Sequence, residues 1–200
     1  MKNLKLHFNE SNNTLNLKTM KTTMIKFTAV VALALTSLAS VAQTTESKPE
    51  LVKESTDALE SMIEESPELQ THYDNSYGYA VFPRVSKGAI TIGGAAGNGV
   101  VYKNHEIVST SKLKQVTFGF QFGGQQYSEV IFFQSENAFD NFLNNKLKFD
   151  AQASAVALKS GASADVPYID GVAVFTQAIG GLMYEASIGG QHFKNKPISN

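Results

Sequence analysis

The chain has 200 residues, 17 of them basic and 18 acidic, and no cysteine. That composition excludes a disulfide framework, thiolate metal sites, cysteine nucleophiles and a lipid-bearing cysteine. It also lacks the basic excess that general nucleic-acid binding requires.

Residues 1–19, MKNLKLHFNESNNTLNLKT, have no persuasive periodicity and read as an over-extended start. From Met20 the chain reads as a secretory signal peptide. Lys21 and Lys26 precede the apolar run Phe27–Leu38, and Ser40-Val41-Ala42 supplies small residues for cleavage. The run is too short for a comfortable membrane span. The expectation is therefore a signal peptide at 20–42 and one domain at 43–200, exported to the periplasm or the exterior. That part carries 12 basic and 17 acidic residues.

Leu51, Ser55, Ala58, Leu59, Met62 and Ile63 fall at helical spacing, which predicts an amphipathic helix from about Pro49 to Glu65. Pro49 suits a first turn, and Ser66-Pro67 an end. A short helical turn around Leu69 follows. Residues 46–74 hold nine acids and two lysines, so the outer face of this helix is acidic. Solvation alone accounts for such a face.

From Tyr77 the period becomes two. Tyr77–Phe82 reads as a strand that stops at Pro83. Val116, Phe118, Phe120 and Phe122 alternate with small or polar residues, giving a strand with one bulky and one bare face. Tyr127–Gln134 reads as the next strand, joined to it by a tight turn at Gln125-Gln126. Ser135 is a good N-cap for a helix carrying Phe139, Phe142 and Leu143. Phe149–Leu158 has period two, 159–168 reads as a loop, and Val172–Phe175, Leu182–Ile188 and Gln191–Phe193 complete the set. Four apolar-Gly-Gly triplets, at Ile92, Phe122, Ile179 and Ile188, suggest bends, bulges or turns.

The glycine run Gly93–Gly99 is no nucleotide site. A phosphate loop needs Lys-Ser/Thr after its glycines, and a dinucleotide fold needs a helix there; Val100-Val101-Tyr102 follows instead. His72, His105 and His192 stand far apart in sequence. There is no HExxH and no G-x-S-x-G, and neither a cofactor nor a metal is indicated. Glu129 and Glu185 lie in strand-like segments whose facing the sequence leaves open.

VFPRVSKGAITIGGAAGNGVVY, QVTFGFQFGGQQYSEVIFF and DGVAVFTQAIGGLMYEASIGG, in that order, resemble the SYLF domain family. The resemblance rests on Phe-Pro then Lys-Gly, on Gly119-x-Gln121-x-Gly123-x-Gln125, and on Gly181-Leu182-Met183 through Gly189. It implies an α+β fold: an N-terminal amphipathic helix, a twisted, mostly antiparallel, Gly-rich sheet forming a partial barrel, and one further helix. It also implies phospholipid binding at membrane surfaces, without catalysis. Arg84, Lys87, Lys112 and Lys114 are then the headgroup candidates, placed in loops. Gly93, Gly94, Gly119 and Gly123 are the glycines allowing close approach, and the bare face of the central strand is a place for an acyl chain. Unlike the lipoprotein-like relatives this chain has no cysteine, and its helix is acidic where eukaryotic relatives are basic. A protein-interaction or envelope-structural module without lipid binding is the alternative. A small outer-membrane barrel fits less well, given the helix within the strand order and the polar end at Asn200.

Overall fold

The computed structural model describes residues 47–89, 92–118, 123–149, 155–157, 166–180 and 188–198. The expected signal peptide and start, residues 1–42, lie outside them, as do Gly119, Glu185 and the Leu182–Ser187 part of an expected strand.

Helix α1 spans Lys48–Glu65, with proline in its first turn. Its buried residues Leu51, Ser55, Leu59 and Met62 recur at spacings of four, four and three, the stripe that the sequence predicts. Helix α2, Leu69–Asn75, follows at once. Seven strands come next: β1 (Gly78–Ala89), β2 (Ile92–Lys103), β3 (Glu106–Phe118), β4 (Gly123–Phe133), β5 (Val156–Ala157), β6 (Val172–Gly180) and β7 (Gln191–Pro197). Helix α3, Glu136–Leu143, separates β4 from β5, and the Ser135 hydroxyl accepts from Ala138 N at 3.4 Å as its N-cap.

The sheet order is β5-β6-β4-β1-β2-β3-β7. All pairings are antiparallel except the short β5–β6 contact. The α+β architecture thus matches the expectation. Three local expectations do not. First, β1 does not stop at Pro83. It continues to Ala89 across a register shift on both sides, between Val81 and Arg84 against β2 and between Phe82 and Val85 against β4. A bulge tolerates the missing proline N–H, and the Pro83 carbonyl accepts from Ser128 Oγ at 2.9 Å. Second, Gln125-Gln126 is not a turn. Both lie inside β4, opposite Lys87 and Ser86. β3 and β4 are consecutive in sequence yet separated by β1 and β2, so they form no hairpin; β4 instead pairs with the free side of β1. Third, the pairs Gly93-Gly94 and Gly123-Gly124 sit in unbroken ladder. The expectation holds at two triplets: Ile179-Gly180 sits at a register shift against β4, and Gly189-Gly190 turns, with φ of 76° at Gly190, a conformation open to glycine without strain.

The two faces bury different cores. α1 and α2 cover Tyr79, Val81, Val100, Tyr102, Val130, Phe132 and Phe175 on the upper part of one face, called here the outer face. The opposite, concave face holds Phe82, Val85, Leu113, Ile131, Phe133 and Phe193 with Phe139 and Phe142 of α3. The sheet curls strongly: Phe193 of β7 lies 5.8 Å from Phe82 of β1 and 5.0 Å from Phe142, centroid to centroid. Gln191 of β7 donates to Glu129 of β4 at 2.9 Å, although three strands separate them along the sheet.

Candidate functional site

Strand alternation assigns every charged residue of β1, β3 and β7 to a face. On β3, Lys112 and Lys114 are exposed between buried Ser111, Leu113 and Gln115. On β7, His192, Lys194 and Lys196 are exposed, flanking buried Gln191 and Phe193. The register places Lys112 opposite Lys194, Lys114 opposite His192, and Thr110 opposite Lys196. Four lysines and a histidine therefore form a ladder on the outer face, beyond the area that α1 covers.

Directly opposed like charges weaken a strand pair. Lysines on an edge strand are common protection against edge-to-edge pairing, which accounts for Lys194 and Lys196. It does not account for Lys112 and Lys114, which lie on β3 between β2 and β7. The ion pairs among the described residues are Lys53–Asp57 and Arg84–Glu54, so no carboxylate there neutralises the ladder.

The expected headgroup residues are brought together in part. All four lie within strands rather than loops. Arg84 opposes Asn98, Asn98 opposes Lys112, and Lys112 opposes Lys194. One cross-strand row thus links Arg84 to the ladder on the outer face. The Arg84 guanidinium also reaches Glu54 of α1 at 3.3 Å. Lys87 departs from the expectation. The bulge at Pro83 fixes the phase so that Arg84 points outward and Lys87 points to the concave face, where it is 7% exposed. Arg84 and Lys87 therefore point to opposite faces of the sheet.

The glycines divide in the same way. Gly93 is on the concave side and buried; Gly94 is on the outer side and exposed. Gly123 opposes Ala89 in the β1–β4 ladder. Gly124, Gly88 and Gly94 oppose one another in a single outward row that ends at Val116. The reading of the sequence missed Gly88 and Gly124, as it missed Lys194 and Lys196. The period-two signal was present for all four, but pairing across strands is needed to see a row.

A cleft of about 500 Å³ opens between α1 and the sheet, bordered by Glu54, Asp57, Arg84, Ser61, Gln177 and Ile179. The concave face carries a different chemistry. Glu129 is fully buried, and burial pushes its carboxyl up to about 7, against the opposing effect of the Gln191 amide. Burial likewise raises the neighbouring Tyr127 phenol. His72 is held by Val166 O at 3.0 Å and by the rings of Phe132, Tyr168 and Phe175, an aromatic packing role. No group of three or more metal-ligating side chains occurs among the described residues.

Comparison with known proteins points the same way as the sequence motifs. Residues 114–197 match the family model described as Las17-binding protein actin regulator (Ysc84). Over 138 residues the chain is 28% identical to Beta cell expansion factor A of Aeromonas veronii, across 68% of this chain. It spans about half of that relative, 52% of its length. The model match begins at Lys114, within the ladder, and runs through β7; the Phe-Pro and Gly-rich motifs of β1 and β2 precede it. Residues 114–197 of this chain thus match the Ysc84 (SYLF) family model, the family that the sequence motifs resemble.

Proposed function

We propose that the protein binds phospholipid at a membrane surface of the bacterial cell envelope, reversibly and without catalysis, through the outer face of β3 and β7. The observation that carries this reading is the ladder of Lys112, Lys114, Lys194 and Lys196, exposed on adjacent strands, with Lys112 directly opposite Lys194, and without a described counter-ion. An anionic surface supplies the missing charge. Each lysine near the headgroups contributes about 1 kcal/mol, so four give about 4 kcal/mol, roughly a thousandfold in partitioning. α1 packs on the same face, and the ladder lies beyond the part that α1 covers. Export through residues 20–42 places the protein in the periplasm or outside the cell.

The test is co-sedimentation with neutral and anionic vesicles at low and high salt, comparing the wild type with the Lys112→Glu, Lys194→Glu double variant. Expected is binding to anionic vesicles that falls with salt and is lost in the variant. The variant also replaces an opposed like-charged pair, so its folding stability stays within about 0.5 kcal/mol of the wild type. Equal binding by both proteins would remove the ladder from the mechanism. Absence of binding to any vesicle would sink the membrane reading and favour a protein-interaction module.

A further inference from the structure

We infer that the cleft between α1 and the sheet is a subsite for the zwitterionic head of a phospholipid, taking a primary ammonium on its α1 wall and the phosphate on Arg84. The inference rests on the membrane reading above and assigns the headgroup that the outer face selects.

The α1 wall is one flank of the helix. Glu54, Asp57 and Ser61 recur at spacings of three and four, beside the buried stripe, and all three line the cleft. Glu54 and Ser61 are seven residues apart, about 10 Å along the helix axis. A polar tether stands at each end of that length. Arg84 of β1 reaches Glu54 at 3.3 Å. The Gln177 amide of β6 donates to Glu65 at 2.6 Å and to Ser61 Oγ at 3.3 Å. The space of about 500 Å³ opens between α1 and the sheet along this flank, a volume within the range of small-molecule sites.

The charges set the occupant. Two carboxylates and one guanidinium line the space. A simple anion would meet Glu54 and Asp57, and a simple cation would meet Arg84. An ion carrying both signs suits both walls. Arg84 is loosely committed: its side chain is 54% exposed, and 3.3 Å is long for a charge-assisted bond. Its one described hydrogen bond leaves further N–H donors for a phosphate. Glu54 is half satisfied, with one oxygen on Arg84 and the other buried without a partner. A buried acceptor in that condition is costly, and an ammonium beside it relieves the cost. The Asp57 pair with Lys53 lies in solvent, where ion pairs are weak.

The ammonium is primary rather than quaternary. Quaternary heads are held by aromatic faces, and none of the described residues lining the cleft is aromatic. Carboxylates and the Ser61 hydroxyl accept N–H bonds, which a quaternary ammonium cannot donate. Two features place this head on a lipid. From Arg84 the row runs through Asn98 to Lys112 and Lys194, so phosphates of neighbouring lipids meet the same row. Ile179, 50% exposed, stands at the border of the cleft as an apolar contact for the start of the chains.

Co-sedimentation tests this with vesicles of phosphatidylglycerol in phosphatidylcholine or, at the same anionic fraction, in phosphatidylethanolamine. The proteins are the wild type and the Glu54→Gln, Asp57→Asn double variant, with thermal unfolding of both. Expected is wild-type binding about tenfold tighter to the ethanolamine mixture, from hydrogen bonds to charged groups. The variant should lose that preference and bind the choline mixture at least as tightly as wild type. Its Tm should be unchanged, because exposed ion pairs contribute little. Free O-phosphoethanolamine should abolish the wild-type preference and leave the anionic binding in place. Equal wild-type binding to the two mixtures overturns the cleft assignment and leaves the membrane reading standing. A preference that the variant keeps overturns it too, because bilayer packing then accounts for the difference. No binding to either mixture removes both readings. Binding of free O-phosphoethanolamine without any preference between the vesicles would assign the cleft to a soluble zwitterion and overturn the lipid source.

Discussion

Replacing Glu129 by glutamine keeps the shape of a fully buried side chain and removes its ability to ionise. Glu129 is 0% exposed, its one described hydrogen bond comes from Gln191 Nε2 at 2.9 Å, and its other oxygen has no partner. Tyr127 and Thr176 adjoin it on the concave face, and Lys87 lies on that face two rows further along β1. Burial raises the carboxyl from 4.5 to about 7 in the folded protein. The unfolded chain releases the proton near pH 4.5, and the folded chain holds it until about pH 7. Stability is therefore full below about pH 4.5 and falls as pH rises through 7. A displacement of about 2.5 pH units at 1.36 kcal/mol each gives a loss of about 3 kcal/mol. Glutamine accepts the same Gln191 hydrogen bond and carries no charge at any pH. Urea unfolding of wild type and Glu129→Gln at pH 5, 6, 7 and 8 reads the difference directly. Expected are stabilities that differ by about 1 kcal/mol at pH 5 and a variant about 3 kcal/mol more stable at pH 8. For a chain of this size that corresponds to a Tm gain of about 6–12 °C. A variant that loses stability with pH as steeply as wild type would refute the reasoning, and so would one that is less stable at pH 8.

Two further outcomes follow from local geometry. Gly99→Ala places a Cβ 2.6 Å from both Phe82 Cδ1 and the Val81 carbonyl, so backbone or ring must shift; a loss of about 1–3 kcal/mol in urea unfolding is expected, and an unchanged midpoint would contradict it. Ser135→Ala removes the N-cap of α3, whose hydrogen bond is long at 3.4 Å. About 0.5–1 kcal/mol should be lost, with vesicle binding unaltered because α3 packs on the concave face; altered binding would place α3 in the lipid site.

The sequence by itself determined the local elements. The spacing of Leu51, Ser55, Leu59 and Met62 specified the buried stripe of α1, because 3.6-residue periodicity needs no partner to be read. Ser135 specified the start of α3 through its own hydroxyl. The absence of a phosphate-loop lysine and of a helix after Gly99 excluded a nucleotide site by local chemistry alone. The motifs around Gly123 and Gln125 carry the resemblance to the SYLF domain family along the chain alone.

Tertiary structure decided everything that depends on pairing and phase. Pro83 looked like a strand end because its missing N–H is a local fact, while the bulge that accommodates it is a property of three strands. That one-residue shift changes which residues point outward, since the period of a strand is two. It sends Arg84 to the outer face and Lys87 into the concave core. The crossing of β4 to the far side of β1 likewise lies outside what neighbours in sequence specify. Lys112 meets Lys194, and Gly88 meets Gly94 and Gly124, only because long-range register sets them opposite one another. The basic ladder and the glycine row run across strands, and a row across strands has no signature along the chain.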